Sequence, residues 1–275
     1  MRGLAGRIFL LTAALALGCG NPPAPPTPPT SSPRVFPDGT IVDLSHTYDA
    51  NTVFWPTADP FRLQKVADGI TPGGYYYASN NFFTSEHGGT HLDAPVHFAR
   101  GAHTVDQIPI ERFLGVGYVI DVRERAGADA DYQVGVEDIA GAEAAQGPIP
   151  RDAIVLIRTG FSTRWPDPAR YLGTALGGAA GAANLHFPGL HPDGAKWIVA
   201  NRSIKAVGVD TASIDYGRST LFESHRILFA ANIPAFENLT ALEKLPLTGA
   251  YVIALPMKIG GGSGAPLRTV AILPQ

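Results

Sequence analysis

The chain has 275 residues, of which 45% are hydrophobic and 16% charged, and its formal net charge is −3. That length and apolar content are sufficient for one domain with a sizeable core. The small negative charge, with lysines and arginines scattered along the chain, argues against a nucleic-acid partner. The single cysteine, Cys19, excludes an intramolecular disulfide.

Residues 1–19 have the pattern of an export signal. Two arginines flank the start of the apolar run Ile8–Leu17, which is too short to span a bilayer. The run leads into the sequence ALGC, which resembles the lipobox of bacterial lipoproteins, whose cysteine carries the lipid. The alternative is an ordinary cleavage site with Cys19 as a small residue beside it. We expect an exported, membrane-anchored lipoprotein, periplasmic or at the cell surface, that meets the membrane only through Cys19.

Residues 20–34 are predicted to be a linker. Seven of the 24 prolines lie between Asn21 and Pro33, which favours an extended, solvated segment. The folded domain is then expected to occupy residues 35–275.

Within that domain, short Val- and Ile-rich runs alternate with helical patterns and Gly- or Pro-marked turns. The predicted strands are Thr40–Leu44, Tyr118–Val122, Ala153–Arg158, Ile204–Val209, Ala250–Leu255 and Arg268–Leu273. The predicted helices are Val136–Gln146, His191–Asn201 and Phe222–Ala231. Ala175–Ala183 is expected to be a small-residue loop, and the glycine run Gly260–Gly264 to approach a ligand or form a flexible turn. The fold class is therefore α/β or α+β with a substantial sheet.

The segment HGGTHLDAPVH, from His87 to His97, contains three of the eight histidines and one aspartate. Imidazole and carboxylate are ligands that suit Zn, Mn or Fe. Its glycines and Pro95 argue against a helix, so we interpret it as a loop or irregular strand. In extended structure His91 and Asp93 point to the same side, as a chelating pair requires. The alternative interpretation is a set of hydrogen-bonded structural histidines.

These residues supply the minimum set for a metal centre. His87, His91 and Asp93 are the predicted ligands, since a catalytic metal site uses three protein ligands and keeps one position open. His97 is then available as a general acid/base, because a histidine beside an activated water can transfer protons near neutral pH.

The segment also matches a family signature, HxGTHxDxPxHF, at every fixed position. The chain thereby resembles the cyclase family of metal-dependent hydrolases, which includes bacterial kynurenine formamidase and isatin hydrolase. The resemblance covers roughly Thr40 to Leu273. It includes DLSHTYDANTVFWP at Asp43–Pro56, TVDQIP at Thr104–Pro109, DTASID at Asp210–Asp215 and HRILFAANIPAFENL at His225–Leu239.

The resemblance implies a single-domain swivelling β/β/α fold around a mixed sheet, and it adds two metal ligands. His225 and Glu237 match a later histidine and glutamate that complete a two-zinc site in the kynurenine formamidases, whereas isatin hydrolases have one manganese. The implied cofactor is therefore one or two divalent ions, Zn or Mn. Without the family, His225 is more readily interpreted as a helix-surface histidine, and Glu237 as a cap or salt-bridge partner at a strand end.

The predicted substrate-binding residues are Trp55, Phe82 and Phe83, although each also fits an ordinary core position. Asp210, Ser213 and Asp215 either support the site or shape a turn. The predicted reaction is hydrolysis of a small amide or cyclic amide, such as an arylformamide or an isatin-like lactam, by metal-activated water. Export from the cytoplasm favours a general amide or lactam hydrolase over a kynurenine formamidase. The expected partners are a small-molecule substrate and further copies of the chain, as a dimer or higher homo-oligomer.

Two other functional classes remain open. His91, Asp93 and His225 imitate the two-histidine, one-carboxylate triad of non-haem Fe(II) oxygenases, but such sites leave positions open that His87 and Glu237 would occupy here. The second class is a lipoprotein that binds a metal or a small molecule without turnover. Dependence on O₂ indicates the first, and binding without turnover indicates the second.

Overall fold

The computed structural model describes residues 39–274. The predicted signal (1–19), linker (20–34) and lipid-anchor residue Cys19 lie outside this range. The strands are β1 Ile41–Asp43, β2 Arg62–Ile70, β3 Tyr76–Phe83, β4 His91–Asp93, β5 Leu114–Asp121, β6 Gln133–Val134, β7 Ile154–Arg158, β8 Gly189–Leu190, β9 Ala206–Val209, β10 Ala235–Glu237, β11 Thr248–Pro256 and β12 Gly264–Ile272. The helices are α1 Arg123–Ala128, α2 Val136–Gln146, α3 Pro168–Tyr171, α4 Gly178–Ala182, α5 Pro192–Asn201 and α6 Glu223–Ala230. Among the helices within 39–274, none has the length and apolar content to cross a bilayer.

Seven strands form a closed, barrel-like mixed sheet. Their order is β12-β11-β5-β7-β9-β10-β4, and β4 pairs with β12 to close the ring. Strands β5, β7, β9 and β10 are parallel neighbours, whereas β4, β11 and β12 pair antiparallel. Strand β1 pairs antiparallel with the C-terminal half of β12, whose first residues pair with β4. Closure leaves β4 hydrogen-bonded on both edges, although it is only three residues long.

Alternating residues of the barrel strands divide the apolar side chains into two layers. One layer, including Leu92, Leu156 and Phe236, packs together inside the barrel. The other lies against α2, α5 and α6, where strand residues such as Val207 and helix residues such as Leu228 belong to one buried cluster. Because helices cover the parallel strands, both faces of β7 are buried, and its sequence IVLIR is almost uniformly apolar.

The predicted strands and helices are confirmed, with boundaries that differ by a few residues. The closest agreement is α2, which occupies Val136–Gln146 as predicted. The sequence patterns did not predict the hairpin β2–β3 or the short strand β10. They also missed the single helical turn of α4, inside the stretch Ala175–Ala183 that we expected to be a loop. A five-residue helix is too short to show a periodic pattern.

The hairpin β2–β3 forms a sheet of its own. Its strands make extensive contact only with each other, and nearly every residue in them is exposed. Strand β3 ends at Phe83, four residues before His87, so the hairpin leaves the body of the protein beside the histidine cluster.

Candidate metal centre

The pairing of β4 with β10 brings three of the predicted ligands together. His91 and Asp93 point to the same side of β4, because side chains two apart share a face. Glu237 is the direct cross-strand partner of His91. Leu92, between the two ligands, points the other way into the barrel core. The three ligand side chains are therefore buried on the outer face of the barrel, with His91 Nε2 3.0 Å from Asp93 Oδ1 and 3.5 Å from Glu237 Oε2.

Helix α6 brings the fourth predicted ligand over this face. His225 lies in its first turn, and its Nε2 is 3.2 Å from Asp93 Oδ2 and 3.1 Å from Glu237 Oε1. Asp215 fixes the position of the ring. One of its oxygens accepts hydrogen bonds from His225 Nδ1 at 2.6 Å and from the His225 backbone N–H, and the other accepts from the Ser224 N–H. Asp215 thus caps the helix and orients the ligand together.

His87 reaches the cluster from the turn before β4. Its Nδ1 lies 2.7 Å from Asp93 Oδ1. The turn requires glycine at Gly89, where φ is +57° and an added Cβ would lie 2.7 Å from the Tyr48 ring. Gly264, in the predicted glycine run, approaches from β12, and a Cβ there would lie 2.5 Å from the His87 ring. The glycine run therefore makes room for a candidate ligand.

Each of the three histidines is held by its outer nitrogen. His91 Nδ1 donates to the Gly89 carbonyl, and His225 Nδ1 donates to Asp215. His87 Nε2 donates to Ser263 Oγ, whose hydroxyl donates in turn to Glu86 Oε2 at 2.6 Å. Such outer contacts fix the tautomer of a metal-binding histidine. In the neutral rings the inner nitrogens are therefore lone-pair acceptors, and all three face carboxylate oxygens.

The lone pairs of these histidine nitrogens repel those of the carboxylate oxygens that they face. The arrangement is stable only if a positively charged group, a proton or a cation, lies between them. Burial would raise the pKa of Asp93, but His87, His225 and His91 lower it well below its usual range. Burial raises the pKa of Glu237, and the Asp93 carboxylate raises it further. Burial would lower the pKa of His225, but Asp215, Asp93 and Glu237 hold it well above its usual value. The buried carboxylates thus attract either protons or a cation, and the donor set fits a divalent metal ion.

His97 lies on the open side of the cluster. Its ring stacks on the His87 ring, with centroids 3.9 Å apart, and burial lowers its pKa to about 4. A neutral imidazole beside the ligands can accept a proton. Two groups of three side chains have ligand atoms within 4.8 Å of one another. One group is His87, Asp93 and His97, and the other is His91, Asp93 and Glu237. Asp93 belongs to both groups, so the geometry accommodates one ion or two, and it gives His97 a ligand position as an alternative to proton transfer.

The cluster lies at the bottom of a cavity of about 300 Å³. Trp55, Phe98 and Phe222 line it, and their rings contact one another through Phe222. Phe222 has left-handed backbone angles, φ 47° and ψ 47°, a strained conformation for an aromatic residue. The predicted pocket residue Trp55 is therefore at the cavity wall. Phe82 and Phe83 do not line the cavity, because β3 carries them outward along the hairpin, where they are 54% and 48% exposed.

The supporting residues were only partly predictable. The sequence allowed two interpretations of Asp215, support of the site or formation of a turn, and the side chain in fact contacts His225 directly. The same two interpretations applied to Asp210, which accepts hydrogen bonds from Thr159 and the Gly160 N–H and so shapes the turn after β7. Sequence reasoning missed the Glu86–Ser263 pair, because 177 residues separate its members. The position of Glu86, directly before the motif, was the only local signal.

Known proteins are similar to this chain in sequence and in fold. The family described as "Putative cyclase" matches residues 42–216 of this chain, which is more than half of the chain's length. The chain belongs to the cyclase family. An isatin hydrolase from Roseibium aggregatum is 30% identical over 222 residues, which cover 78% of this chain and 81% of the relative. A kynurenine formamidase from Salinibacter ruber is 30% identical over 240 residues, which cover 84% and 96%.

A solved structure of a cyclase-family relative gives the same assignment. Isatin hydrolase A from Labrenzia aggregata, bound to benzyl benzoate, aligns with a TM-score of 0.77 at 34% identity, covering 86% of this chain and 94% of the other. The family resemblance and the α/β fold predicted from the sequence are confirmed. The chain is a cyclase-family hydrolase related to isatin hydrolases and kynurenine formamidases, and its histidine, aspartate and glutamate side chains form a cluster of metal-ligand type.

Proposed function

We propose that this protein is a metal-dependent hydrolase of a small amide or cyclic amide, an arylformamide or an isatin-like lactam. The observation that carries the proposal is the orientation of His87, His91 and His225. The outer nitrogen of each is hydrogen-bonded, and the inner nitrogen faces the Asp93 or Glu237 carboxylate. Three fixed imidazoles and two buried carboxylates are a ligand set for Zn or Mn.

The cluster would hold one or two divalent ions through these five residues. When bound, such an ion supplies Lewis-acid chemistry, which polarises a carbonyl oxygen and makes water a stronger acid. His97 would take the proton that the attacking water loses as its oxygen bonds to the carbonyl carbon. It would then give that proton to the nitrogen as the C–N bond breaks, leaving a free amine and a carboxylic acid, which loses its remaining proton to solvent. Because the pKa of His97 is about 4, its ring is neutral at pH 7 and has a nitrogen lone pair that can accept this proton.

The cavity supports a flat substrate of modest size. Its volume of about 300 Å³ and its aromatic walls suit one ring system, stacked on Trp55 or Phe222, with the scissile carbonyl toward the cluster. The relatives, an isatin hydrolase and a kynurenine formamidase, are named for amides of this kind.

The test is metal content combined with turnover. We expect one or two equivalents of Zn or Mn in the purified protein, and hydrolysis of isatin, N-formylkynurenine or a simple aryl ester that chelation abolishes and metal restores. Metal binding without turnover of any of these compounds would favour a non-catalytic lipoprotein. Turnover that requires O₂ would favour an Fe(II) oxygenase, and failure to bind metal after reconstitution would overturn the proposal.

We further propose that the protein is exported and anchored by a lipid on Cys19. The support is the sequence of residues 1–19, a charged start followed by a short apolar run and ALGC. Expressed in a bacterial host, the wild type should fractionate with membranes and enter a detergent phase. Cys19→Ala should be released into the soluble fraction. Equal partitioning of the two proteins would exclude lipidation at this residue.

A further inference from the structure

Two arginines without acidic partners lie in a surface cleft apart from the candidate metal centre. Arg164 and Arg170 line this cleft together with His186, and its volume is about 410 Å³. Within residues 39–274, no carboxylate oxygen lies within 4.0 Å of either guanidinium, and neither guanidinium donates a hydrogen bond. The residues that line this cleft are all different from those that line the cavity above the candidate ligands. We call it the arginine cleft.

The Arg164 side chain has a fixed position at the cleft. It is half-buried, and its guanidinium lies 3.6 Å from the centre of the Phe161 ring. The ring covers one face of the guanidinium but leaves the N–H groups in its plane available as donors. Stacking therefore provides a fork of hydrogen-bond donors whose orientation is set before any ligand arrives.

Arg170 brings a second positive charge close to Arg164. The Asp167 carboxylate, which lies between them in the sequence, accepts hydrogen bonds from the backbone N–H groups of Ala169 and Arg170, at 3.0 and 3.3 Å. It caps helix α3 and pairs with neither guanidinium. Burial lowers the pKa of Arg164, and the charge of Arg170 lowers it further. The two guanidinium groups therefore repel each other, and an anion between them would remove that repulsion.

His186 adds a third polar group from a different segment. Its Nδ1 lies 2.9 Å from Asp131 Oδ2, and the Arg218 guanidinium lies 3.9 Å from the same oxygen. Within residues 39–274 its Nε2 makes no hydrogen bond, so this nitrogen is available to a ligand. It can accept a hydrogen bond from a protonated oxygen or, once protonated, donate one. Gly173, at φ +84°, makes room for the ring, because a Cβ there would lie 2.7 Å from the His186 Cβ.

We propose that the arginine cleft binds a phosphate group, carried by a soluble phosphate ester or by a lipid headgroup. A phosphate monoester has up to two negative charges and three terminal oxygens, so it can balance both guanidinium groups and accept from both. A carboxylate has one charge and two oxygens. The remaining residues of the cleft, Ala130, Ala169 and Gly173, have no ring or charge. The phosphate itself is therefore the group that the cleft recognises.

Isothermal titration calorimetry with inorganic phosphate tests this proposal. Arg164→Gln with Arg170→Gln should weaken phosphate binding at least about 10-fold, because it removes both charged donors. Arg100→Gln with Arg151→Gln is the matched control: it removes the same charge from two exposed arginines outside the cleft, and it should bind phosphate as the wild type does. Equal phosphate affinities of the two double variants, or acetate that binds the wild type as tightly as phosphate, would overturn the proposal.

Thermal unfolding of Arg170→Gln gives a second readout, in which the sign depends on phosphate. Without phosphate, the variant should have a higher thermal midpoint than the wild type, because the charge that repels Arg164 is gone. Added phosphate should raise the midpoint of the wild type more than that of the variant, because it binds the folded wild type more tightly. The proposal fails if the variant without phosphate is less stable than the wild type, or if phosphate stabilises both equally.

Vesicle sedimentation distinguishes the two sources of phosphate. The protein should carry Cys19→Ala, so that no lipid on that residue contributes to binding. Binding to phosphatidylcholine vesicles that contain phosphatidic acid, lost in the Arg164 and Arg170 double variant, would support a lipid headgroup. Binding of inorganic phosphate without binding to these vesicles would support a soluble phosphate ester. A protein that binds neither would refute a phosphate site in the cleft.

Discussion

Replacing Asp215 by asparagine tests whether His225 acts as a metal ligand. The two Asp215 oxygens accept hydrogen bonds from His225 Nδ1 at 2.6 Å, from the backbone N–H groups of Ser224 and His225, and from the Ser219 hydroxyl. Asparagine has one oxygen. If that oxygen stays on His225, the amide NH₂ faces the Ser224 N–H, and the helix loses one capping hydrogen bond.

The expected losses have different sizes in stability and in metal binding. Loss of one capping hydrogen bond costs about 1 kcal/mol of unfolding free energy. Loss of the charged partner makes His225 a weaker ligand, and such outer contacts are worth about 10–100-fold in metal affinity, or roughly 1.4–2.7 kcal/mol. Asp215→Asn should therefore remain folded at 25 °C and bind Zn or Mn about 10–100-fold more weakly than the wild type.

The assay is competition with a chromogenic chelator, with circular dichroism to establish folding. Asp131→Asn is a matched control, because Asp131 also pairs with a histidine, His186, at 2.9 Å, but outside the cluster. Its metal affinity should equal that of the wild type. If Asp215→Asn binds metal as tightly as the wild type and His225→Gln does too, then His225 is no ligand and the assignment of its Nε2 is wrong.

Three further predictions follow from the same geometry. His97→Ala should lower kcat about 10²–10⁴-fold with metal content unchanged; loss of one ion equivalent would instead make His97 a ligand. Removal of metal should lower the thermal midpoint, since an ion present at 100 times its Kd stabilises the fold by about 2.7 kcal/mol, and an unchanged midpoint would exclude a bound ion. Burial lowers the pKa of His46 to about 4, so the folded state binds fewer protons than the unfolded state, and stability falls as the pH drops through 6.5 toward 4. His46→Phe, which preserves stacking on Trp165, should therefore lose about 2 kcal/mol less stability than the wild type between pH 7 and pH 5 in urea titrations; equal losses would contradict the buried-histidine explanation.

The periodic pattern of hydrophobic residues predicted the strands and helices in which the local pattern agrees with the burial that tertiary contacts produce. The Val- and Ile-rich β7 is buried throughout, and α2 has glycines just outside both ends, so local pattern and burial agree. Strand β10 contains only three residues, too few for any period to be visible. The hairpin β2–β3 mixes exposed hydrophobic and exposed polar residues along both strands, so its pattern indicates neither a half-buried strand nor a loop.

Among the site residues, those that are close together in the sequence were predictable, whereas the distant residues that orient them were not. His87, His91, Asp93 and His97 are close in sequence, and the chemistry of that segment alone suggested a metal centre. Their arrangement could not be read locally, because the contacts that orient them come from distant segments. Ser263 lies 176 residues from His87, and His225 lies 132 residues from Asp93. Family resemblance supplied His225 and Glu237, whereas Ser263 lies within the predicted glycine run Gly260–Gly264 without any pattern that distinguishes it from its neighbours.

Closure of the barrel explains why so short a strand can hold two candidate ligands. A slip of one residue in β4 would turn His91 and Asp93 into the barrel core and Leu92 toward the cavity, because side chains alternate between faces. Pairing on both edges prevents the slip: His91 is opposite Glu237 on β10 and Pro266 on β12. Leu92, fully buried among the core residues, adds a hydrophobic penalty for any other register. The spacing of the candidate ligands is therefore set by the pairing that closes the sheet, and the glycine turn at Gly89 only has to deliver His87 to a position already fixed.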